Sequence, residues 1–239
     1  MTRDELLHAF FGAQDWTPRT LDEHYFDGRA RVGGETVTII GTAGRAEVGA
    51  DLCLRMAAAV LECVNKRPGE AIVFFLDTQG QRLRRRDELL GLNGYMAHLA
   101  KCCEVARRKG HPLLSVVYGE AVSGGYLTTG MMADACYAVS GAEIKVMNLP
   151  AMARITKVPL EKLQALAKES PVFSPGVDNY LRMGHLRAVW SGDYPQRLTE
   201  ALAELRAAPS FADRRMQLGL ERGGRLAAAP LASRIAGNG

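Results

Sequence analysis

Apolar and polar positions divide the chain into stretches of unlike texture. Residues 1–28 are polar and punctuated by aromatics without a firm period, and read as an N-terminal arm that packs on the body or on a neighbour. From Val32 the text turns β-rich on both sides of Gly33-Gly34, the pattern of a hairpin. Leu52, Met56, Val60 and Cys63 then recur at three or four residues, which predicts a one-faced helix over 49–66, stopped by Pro68-Gly69. Residues 71–76, Ala-Ile-Val-Phe-Phe-Leu, are apolar without a break, so a strand there is buried on both faces. A long helix is predicted over 87–109, with Leu89, Leu92, Met96, Leu99, Cys103 and Ala106 along one side and Gly110 as its cap. A second buried strand, 113–118, runs into Gly119–Tyr126 and a short apolar helix over 127–132. Strands follow at 135–139 and 144–147. Beyond Pro159 the chain reads as helices at 159–169, 176–183 and 196–207, with a short strand at 186–190 and a frayed last dozen residues.

Apolar strands alternating with helices imply an α/β domain with a substantially parallel sheet and a helical C-terminal part. No repeat or low-complexity linker divides residues 29–235, which read as one domain. The composition, 47% hydrophobic and 23% charged over 239 residues, is that of a globular protein. A net charge of +4 does not make the chain a nucleic-acid binder, since such proteins concentrate their basic residues in a patch or stripe. Two basic clusters stand out nonetheless: Arg82, Arg84, Arg85 and Arg86, and Arg214, Arg215, Arg222 and Arg225. Each is either solvated surface or a docking site for phosphates or an acidic partner. Five cysteines without framework spacing read as reduced thiols of a cytoplasmic protein, and no pairing of Cys or His has the spacing of a zinc site, so no metal is expected. The N-terminus lacks a signal-peptide pattern and no apolar run approaches the ~20 residues that span a bilayer, so no membrane is expected either.

The candidate chemistry sits at two strand ends. Asp77-Thr-Gln-Gly80 ends the first buried strand, and Gly119-Glu-Ala-Val-Ser-Gly-Gly125 ends the second. In parallel sheets ligands bind outside the carboxyl ends of strands, so both turns face one crevice. Gly124 and Gly125 let the backbone approach a ligand closely. Where they open a helix, their N–H groups lack intrahelical acceptors and suit a developing oxyanion, with a further donor from Gln79 or Gly80. Ser123 and Glu120 stand beside these donors as supporting residues. Asp77 is expected to bond loop amides.

The stretch from Ala71 to about Pro150 resembles the crotonase (ClpP/crotonase) superfamily, and within it the carboxyltransferase alpha subunit of acetyl-CoA carboxylase, on these two turns. That family carries Asp-Thr-Pro-Gly and Gly-Glu-Gly-Gly-Ser-Gly-Gly where this chain has Gln79 for proline and Ala121-Val122 for two glycines. Taken with Arg84-Arg85-Arg86 and residues 148–156, the chain looks most similar to the gamma subunit of the biotin-independent malonate decarboxylases. The resemblance implies a crotonase-like fold and decarboxylation of a malonyl thioester to an acetyl thioester and carbon dioxide. It also implies a crotonase-like beta subunit and an acyl carrier protein whose CoA-derived, phosphopantetheine-type group holds the substrate, with no cofactor held by this chain alone. Tyr126, Arg84, Arg85 and Arg86 are the expected substrate-binding residues.

Three other readings are distinguishable. A biotin-dependent acyl-CoA carboxyltransferase subunit uses the same enolate logic. A non-catalytic crotonase-like scaffold would need neither turn. A serine peptidase would need a histidine near Ser123, yet 144–149 carries none. Ser123 is therefore expected to support the turn by hydrogen bonding.

Overall fold

The computed structural model of the chain describes residues 1–12, 14–169, 175–208, 213–224, 226 and 228–237. In chain order the elements are α1 (Arg3–Phe11), β1 (Trp16–Leu21), β2 (Tyr25–Val32), β3 (Glu35–Thr42), β4 (Ala46–Val48), α2 (Ala50–Lys66) and β5 (Ile72–Gln81). Then come α3 (Arg85–Leu89), α4 (Leu92–Arg108), β6 (Leu113–Val122), α5 (Ser123–Leu127), a 3-10 turn (Gly130–Met132), β7 (Ala135–Val139) and β8 (Glu143–Lys145). The chain closes with α6 (Leu149–Thr156), α7 (Leu160–Glu169), α8 (Val177–Arg182), β9 (Leu186–Trp190), α9 (Tyr194–Ala207), α10 (Arg215–Glu221) and α11 (Ala228–Ala236).

One sheet runs in the order β1-β2-β3-β5-β6-β7-β9, with β4 against β5 and β8 against β6 beyond the main path. The first three strands are antiparallel and the rest pair in parallel. The unbroken apolarity of β5 has the expected cause. Ile72, Phe74 and Leu76 face one core with α2 and α4, while Val73 and Phe75 face a second core with α1 and α9, and all five are fully buried. In β6, Leu113 and Val117 divide from Leu114, Val116 and Tyr118 in the same way. Helices thus cover both faces, and the parallel strands carry the turns between them at their carboxyl ends.

The hairpin about Gly33-Gly34 forms as expected, with Val32 opposite Glu35 and both glycines at positive φ, 57° and 87°. Several boundaries differ. The helix expected over 87–109 is two, α3 and α4, because Gly91 turns left-handed at φ 73° between them. The helix expected over 127–132 begins earlier, at Ser123, and is followed by a 3-10 turn. The last dozen residues, expected to fray, include α11; residues 238–239 lie outside the described residues.

Residues 1–28, read as a patternless arm, hold α1, β1 and the start of β2, and they lie on the body. Helix α1 starts from a capping box: Thr2 accepts from the Glu5 N–H and Glu5 returns a bond to the Thr2 N–H. Its Phe10 stacks on Tyr194 and meets Phe75 edge-on, both with ring centroids 4.9 Å away.

The second basic cluster also lies on the body. Arg222 donates to the carbonyls of Leu181, Leu186 and Arg187, and Arg215 pairs with Asp213 while donating to Met131 O. These arginines fasten the C-terminal helices to the sheet; Arg225 lies outside the described residues.

Phe10 is 2% exposed and bridges α1 to β5, so Phe10→Ala should remove ~3–5 kcal/mol of stability. Denaturant titration of the purified chain checks this. A change below ~1 kcal/mol would mean that α1 is detached from the core in solution.

Candidate active site

Strand β5 outlasts its apolar run because β4 joins it: Ala46 pairs with Thr78, Glu47 with Gly80 and Val48 with Gln81. On the other side Thr78 pairs with Ala121 of β6. The two expected turns are therefore brought together at the carboxyl edge of the sheet. A Cβ on Gly125 would lie 2.8 Å from Thr78 Oγ1, 3.0 Å from Val48 Cγ2 and 3.1 Å from Gly80 Cα. Only glycine fits that contact. Gly80 has φ 103°, which also favours glycine.

Hydrogen bonds fix each turn. Thr78 Oγ1 donates to Ala46 O at 2.7 Å and accepts the Gly80 N–H at 3.0 Å. The Gly124 N–H donates to Gln81 Oε1 at 3.1 Å. Two of the four expected oxyanion donors are thus occupied by the chain's own oxygens. Gly125, third residue of α5, has no intrahelical acceptor for its N–H. Gln79 lies exposed at the end of the strand.

Asp77, 8% exposed, binds the site together as expected of a residue that holds loop amides. Its Oδ2 accepts the Arg45 N–H and its Oδ1 the Glu120 N–H, each at 2.9 Å, while its own N–H donates to Thr42 Oγ1. Glu120 in turn pairs with Arg45 Nε at 3.0 Å and stands 3.7 Å from Lys145 Nζ. It thus stands between two cations, bridging the loop before β4 to β8 beside the glycines.

Other expected site residues are placed differently. Tyr126, expected to touch substrate, is 2% exposed and faces inward, its hydroxyl 2.5 Å from His185 Nε2. Burial pushes its phenol well above the ordinary tyrosine range. It is a core-facing residue of α5. Ser123 begins α5 at φ 47°, and its hydroxyl makes no hydrogen bond to another described residue, so the strand-to-helix turn is held by its neighbours rather than by Ser123. His185 engages Tyr126 and His111 the Glu70 carbonyl at 2.8 Å, at the far end of β5, so neither of these histidines serves Ser123 as a base.

The arginine run separates by role. Arg82 grips Asp51, lies 3.4 Å from Asp87 and covers Gly49, where a Cβ would meet its guanidinium. Arg84 pairs with Glu47 at 2.8 Å, and Arg85 and Arg86 open α3 on the surface. All five cysteines are buried and free. Burial raises the Cys53 thiol to about 12 and that of Cys136 to about 11, so both stay protonated near neutrality. Among the described residues no cluster of His, Cys, Asp or Glu could hold a metal, and no helix is long and apolar enough to cross a membrane.

Sequence reasoning missed Gln81, Arg45 and Lys145. Lys145 lay on an expected strand but without a signal for function; Gln81 and Arg45 reach the site only through pairings with α5 and Asp77. Two cavities lie away from the glycine turns. One of about 380 Å³ lies between β1–β3 and α2, with Arg19 across Asp27 and Glu62, and one of about 260 Å³ adjoins His185 and Tyr180.

A mixed sheet whose parallel strands are covered on both faces, with glycine turns meeting at adjacent strand ends, is the fold of a crotonase-like subunit of the carboxyltransferase type. The model of the malonate decarboxylase gamma subunit family matches residues 43–238, and the chain belongs to that family, a subunit of a carboxy-lyase. A malonyl-S-ACP:biotin-protein carboxyltransferase of Malonomonas rubra is 28% identical over 231 residues, covering 83% of this chain and 78% of its own. Among solved structures, the Pseudomonas malonate decarboxylase hetero-tetramer in complex with coenzyme A superposes with a TM-score of 0.79 at 26% identity, over 97% of this chain and 95% of that one. The Pseudomonas MdcD-MdcE hetero-dimer follows at 0.77 and 25%, over 98% and 97%. Transcarboxylase 12S, 19% identical with a TM-score of 0.71 over 87% of this chain and 42% of that one, shares the fold.

Asp77→Asn would set an amide NH2 against the Arg45 or Glu120 N–H, leaving a nearly buried donor unsatisfied. The expected cost is ~1–3 kcal/mol of stability, with activity lost to a greater degree than stability because both loops shift. Thermal melting beside a turnover assay checks it; an unchanged melt with full activity would show that the clamp is dispensable.

Proposed function

We propose that this chain supplies the glycine-turn half of a thioester site, completed by a crotonase-like beta subunit, in which a malonyl thioester on an acyl carrier protein loses carbon dioxide without biotin. The observation that supports this most is Gly125 pressed against Gly80 and Thr78, with an N–H that α5 cannot use. When the carboxylate leaves, the C–C bond electrons pass into the thioester and its oxygen becomes an enolate. Backbone N–H groups aimed at that oxygen stabilise the transition state more than the ground state. The Gly124 N–H joins them once the substrate oxygen replaces Gln81 Oε1. Uptake of one proton at the enolate carbon completes the acetyl thioester.

The shared site follows from the shape of the edge. At the carboxyl ends of the strands Gln79 is exposed and Ser123 and Gly124 are half-buried, and Leu83 after β5, Leu127 at the end of α5 and Val146 after β8 are exposed. A covering subunit would bury these and exclude water, without which amide donors contribute little. A partner is consistent with the hetero-dimer formed by the Pseudomonas relatives. The carrier's phosphopantetheine arm is the thioester-bearing group in this reading, Arg85 and Arg86 are its nearby cations, and the complex works in the cytoplasm.

Co-expression with the beta-type subunit, followed by assay of carbon dioxide release from malonyl thioesters without biotin, tests the reading. Release by the pair is expected, with Gly125→Pro slowing it ~10²–10³-fold by removing one donor. The Malonomonas rubra relative supports a second reading, carboxyl transfer to biotin. Transfer only when biotin-protein is supplied, with no release otherwise, would establish that one instead.

Reversing both Arg85 and Arg86 to Glu should weaken carrier binding about ten-fold at low ionic strength and less at high salt. Carrier affinity that does not move at low salt would remove these arginines from the docking surface.

A further inference from the structure

Ser123 holds a conformation that costs free energy, and the fold draws no hydrogen bond from its side chain. Its φ is 47°, in the left-handed region that glycine enters freely and serine does not. Arg45, Lys157 and Asp193 are the other described non-glycine residues in that region, and each has a local reason. Arg45 is tied through its N–H to Asp77. Lys157 closes α6, where left-handed caps are common, and Asp193 precedes α9 with a short acidic side chain suited to that backbone. Ser123 instead joins β6 to α5 and is followed by two glycines, so a third would remove the cost. Its hydroxyl caps no amide and bonds no other described residue, while the Gly124 N–H beside it is held by Gln81. Strain of this kind persists where a side chain is needed for something other than folding.

The residue lies within the glycine junction itself. Ala121, two residues earlier on β6, faces the core that holds Val48, Leu76 and Tyr126, and Gly125 packs on Val48 and Thr78 at that same face. Ser123 continues there. Its Cβ is 3.6 Å from the point where a Cβ on Gly80 would stand, and a Cβ on Gly125 would lie 3.1 Å from Gly80 Cα. Ser123 and Gly125 therefore flank one residue, Gly80, with only Gly124 between them along the chain. The serine is half-buried, and its oxygen is not among the buried polar atoms, so it opens on the crevice. Resting on the proposed function, we infer that the Ser123 hydroxyl donates to the thioester oxygen as that oxygen becomes an enolate, a side-chain donor beside the Gly125 N–H.

A hydroxyl suits the task because it turns about its C–O bond, whereas the amides around it are fixed. No described base bonds it, so it stays a neutral hydroxyl that gives a hydrogen bond and forms no covalent bond to the acyl carbon. The thioester oxygen gathers charge only as the carboxylate leaves, so this contact strengthens on the way to the transition state. Its removal should therefore act on kcat and spare KM. Two substitutions separate the oxygen from the backbone. Ser123→Ala keeps the Cβ and the left-handed cost and removes only the hydroxyl. Ser123→Gly removes both.

The experiment uses the complex with its beta-type partner, and compares wild type, Ser123→Ala, Ser123→Gly and, as a remote control, Ser140→Ala on the exposed turn between β7 and β8. Two rates are read: carbon dioxide release from malonyl-pantetheine, and exchange of the methyl hydrogens of acetyl-pantetheine with deuterium oxide. Exchange forms the same enolate by reversing the final protonation, so it reports the hydroxyl without any decarboxylation. Both Ser123 variants should lose about 10- to 100-fold in kcat and in exchange, less than for a lost amide donor because water replaces part of the bond. KM should stay near that of wild type, and Ser123→Gly should melt no lower than wild type, since glycine accepts the left-handed backbone. Full rates in Ser123→Ala would overturn the inference, as would a loss confined to Ser123→Gly, which would lie in the backbone. A fall in melting temperature with KM and kcat both impaired would make Ser123 a structural residue. An acyl ester trapped on Ser123 by acid quench and seen by mass spectrometry would make it a nucleophile instead. Should the wild-type complex exchange but release no carbon dioxide, the decarboxylase reading fails and the exchange rates still decide the inference. If it does neither, no enolate forms and the inference falls as well.

Discussion

The site depends on one steric constraint, the contact of two turns at a glycine that leaves no room for a side chain of its own. Gly125 lies on Thr78 and Gly80 at distances that a Cβ would violate, so the ends of β5 and β6 approach as closely as backbone allows. That approach requires the two strands to be parallel neighbours, as the pairing of Thr78 with Ala121 shows. Parallel neighbours in turn require helical crossovers and burial on both faces, which the apolar runs of β5 and β6 provide. The contact also orients α5, since the helix begins within two residues of it. Everything chemical in the chain is placed by this junction.

Polar bonds then hold what the glycines permit. Asp77 ties Arg45, on the loop before β4, to Glu120, on β6, through one carboxylate with both oxygens in use. Thr78 does the same on the opposite side of β5, joining β4 to the Gly80 turn. Neighbouring residues of one strand point to opposite faces, so Asp77 and Thr78 together fasten the crevice above and below the sheet. A carboxylate that accepts two backbone donors away from water is difficult to replace. A hydroxyl that both donates and accepts is equally specific. The strand end is rigid because its side chains are spent on the backbone around it.

The parts legible in the sequence were those carried by local signals. Buried parallel strands announce themselves by unbroken apolarity, and Gly33-Gly34 by turn chemistry. The turns at Asp77–Gly80 and Gly119–Gly125 could be found because each follows a buried strand and one long helix separates them. One signal was present and overlooked: Thr2-Arg-Asp-Glu5 has the spacing of a capping box, and α1 begins there. The rest was not local. Gly91 breaks a helix whose apolar period continues through it, so the period alone could not report the break. Tyr126 follows two glycines at the site, yet its side chain turns toward His185, 59 residues away. Gln81 caps an amide 43 residues on, and Arg45 meets Glu120 across 75. Such pairings depend on the fold and leave no trace in spacing.

The electrostatics of the edge explain why half a site is the natural product of this fold. Amide dipoles stabilise a developing oxyanion strongly only where water is excluded, and ion pairs that order a substrate lose strength when they face solvent. In the lone chain the Gly124 N–H is satisfied by Gln81 and the Gly80 N–H by Thr78, so both of these donors are already engaged. The same arrangement that keeps the free subunit stable thus keeps its donors quiet. A covering surface changes the balance on both counts, lowering the local dielectric and bringing in a thioester oxygen that accepts better than a neutral amide once it carries enolate charge. The Gln81 amide is then a stand-in for the substrate oxygen, of the right geometry and of lesser strength. Exchange of one for the other costs little in the ground state, and the preference grows only as the enolate forms, which is where catalysis requires it.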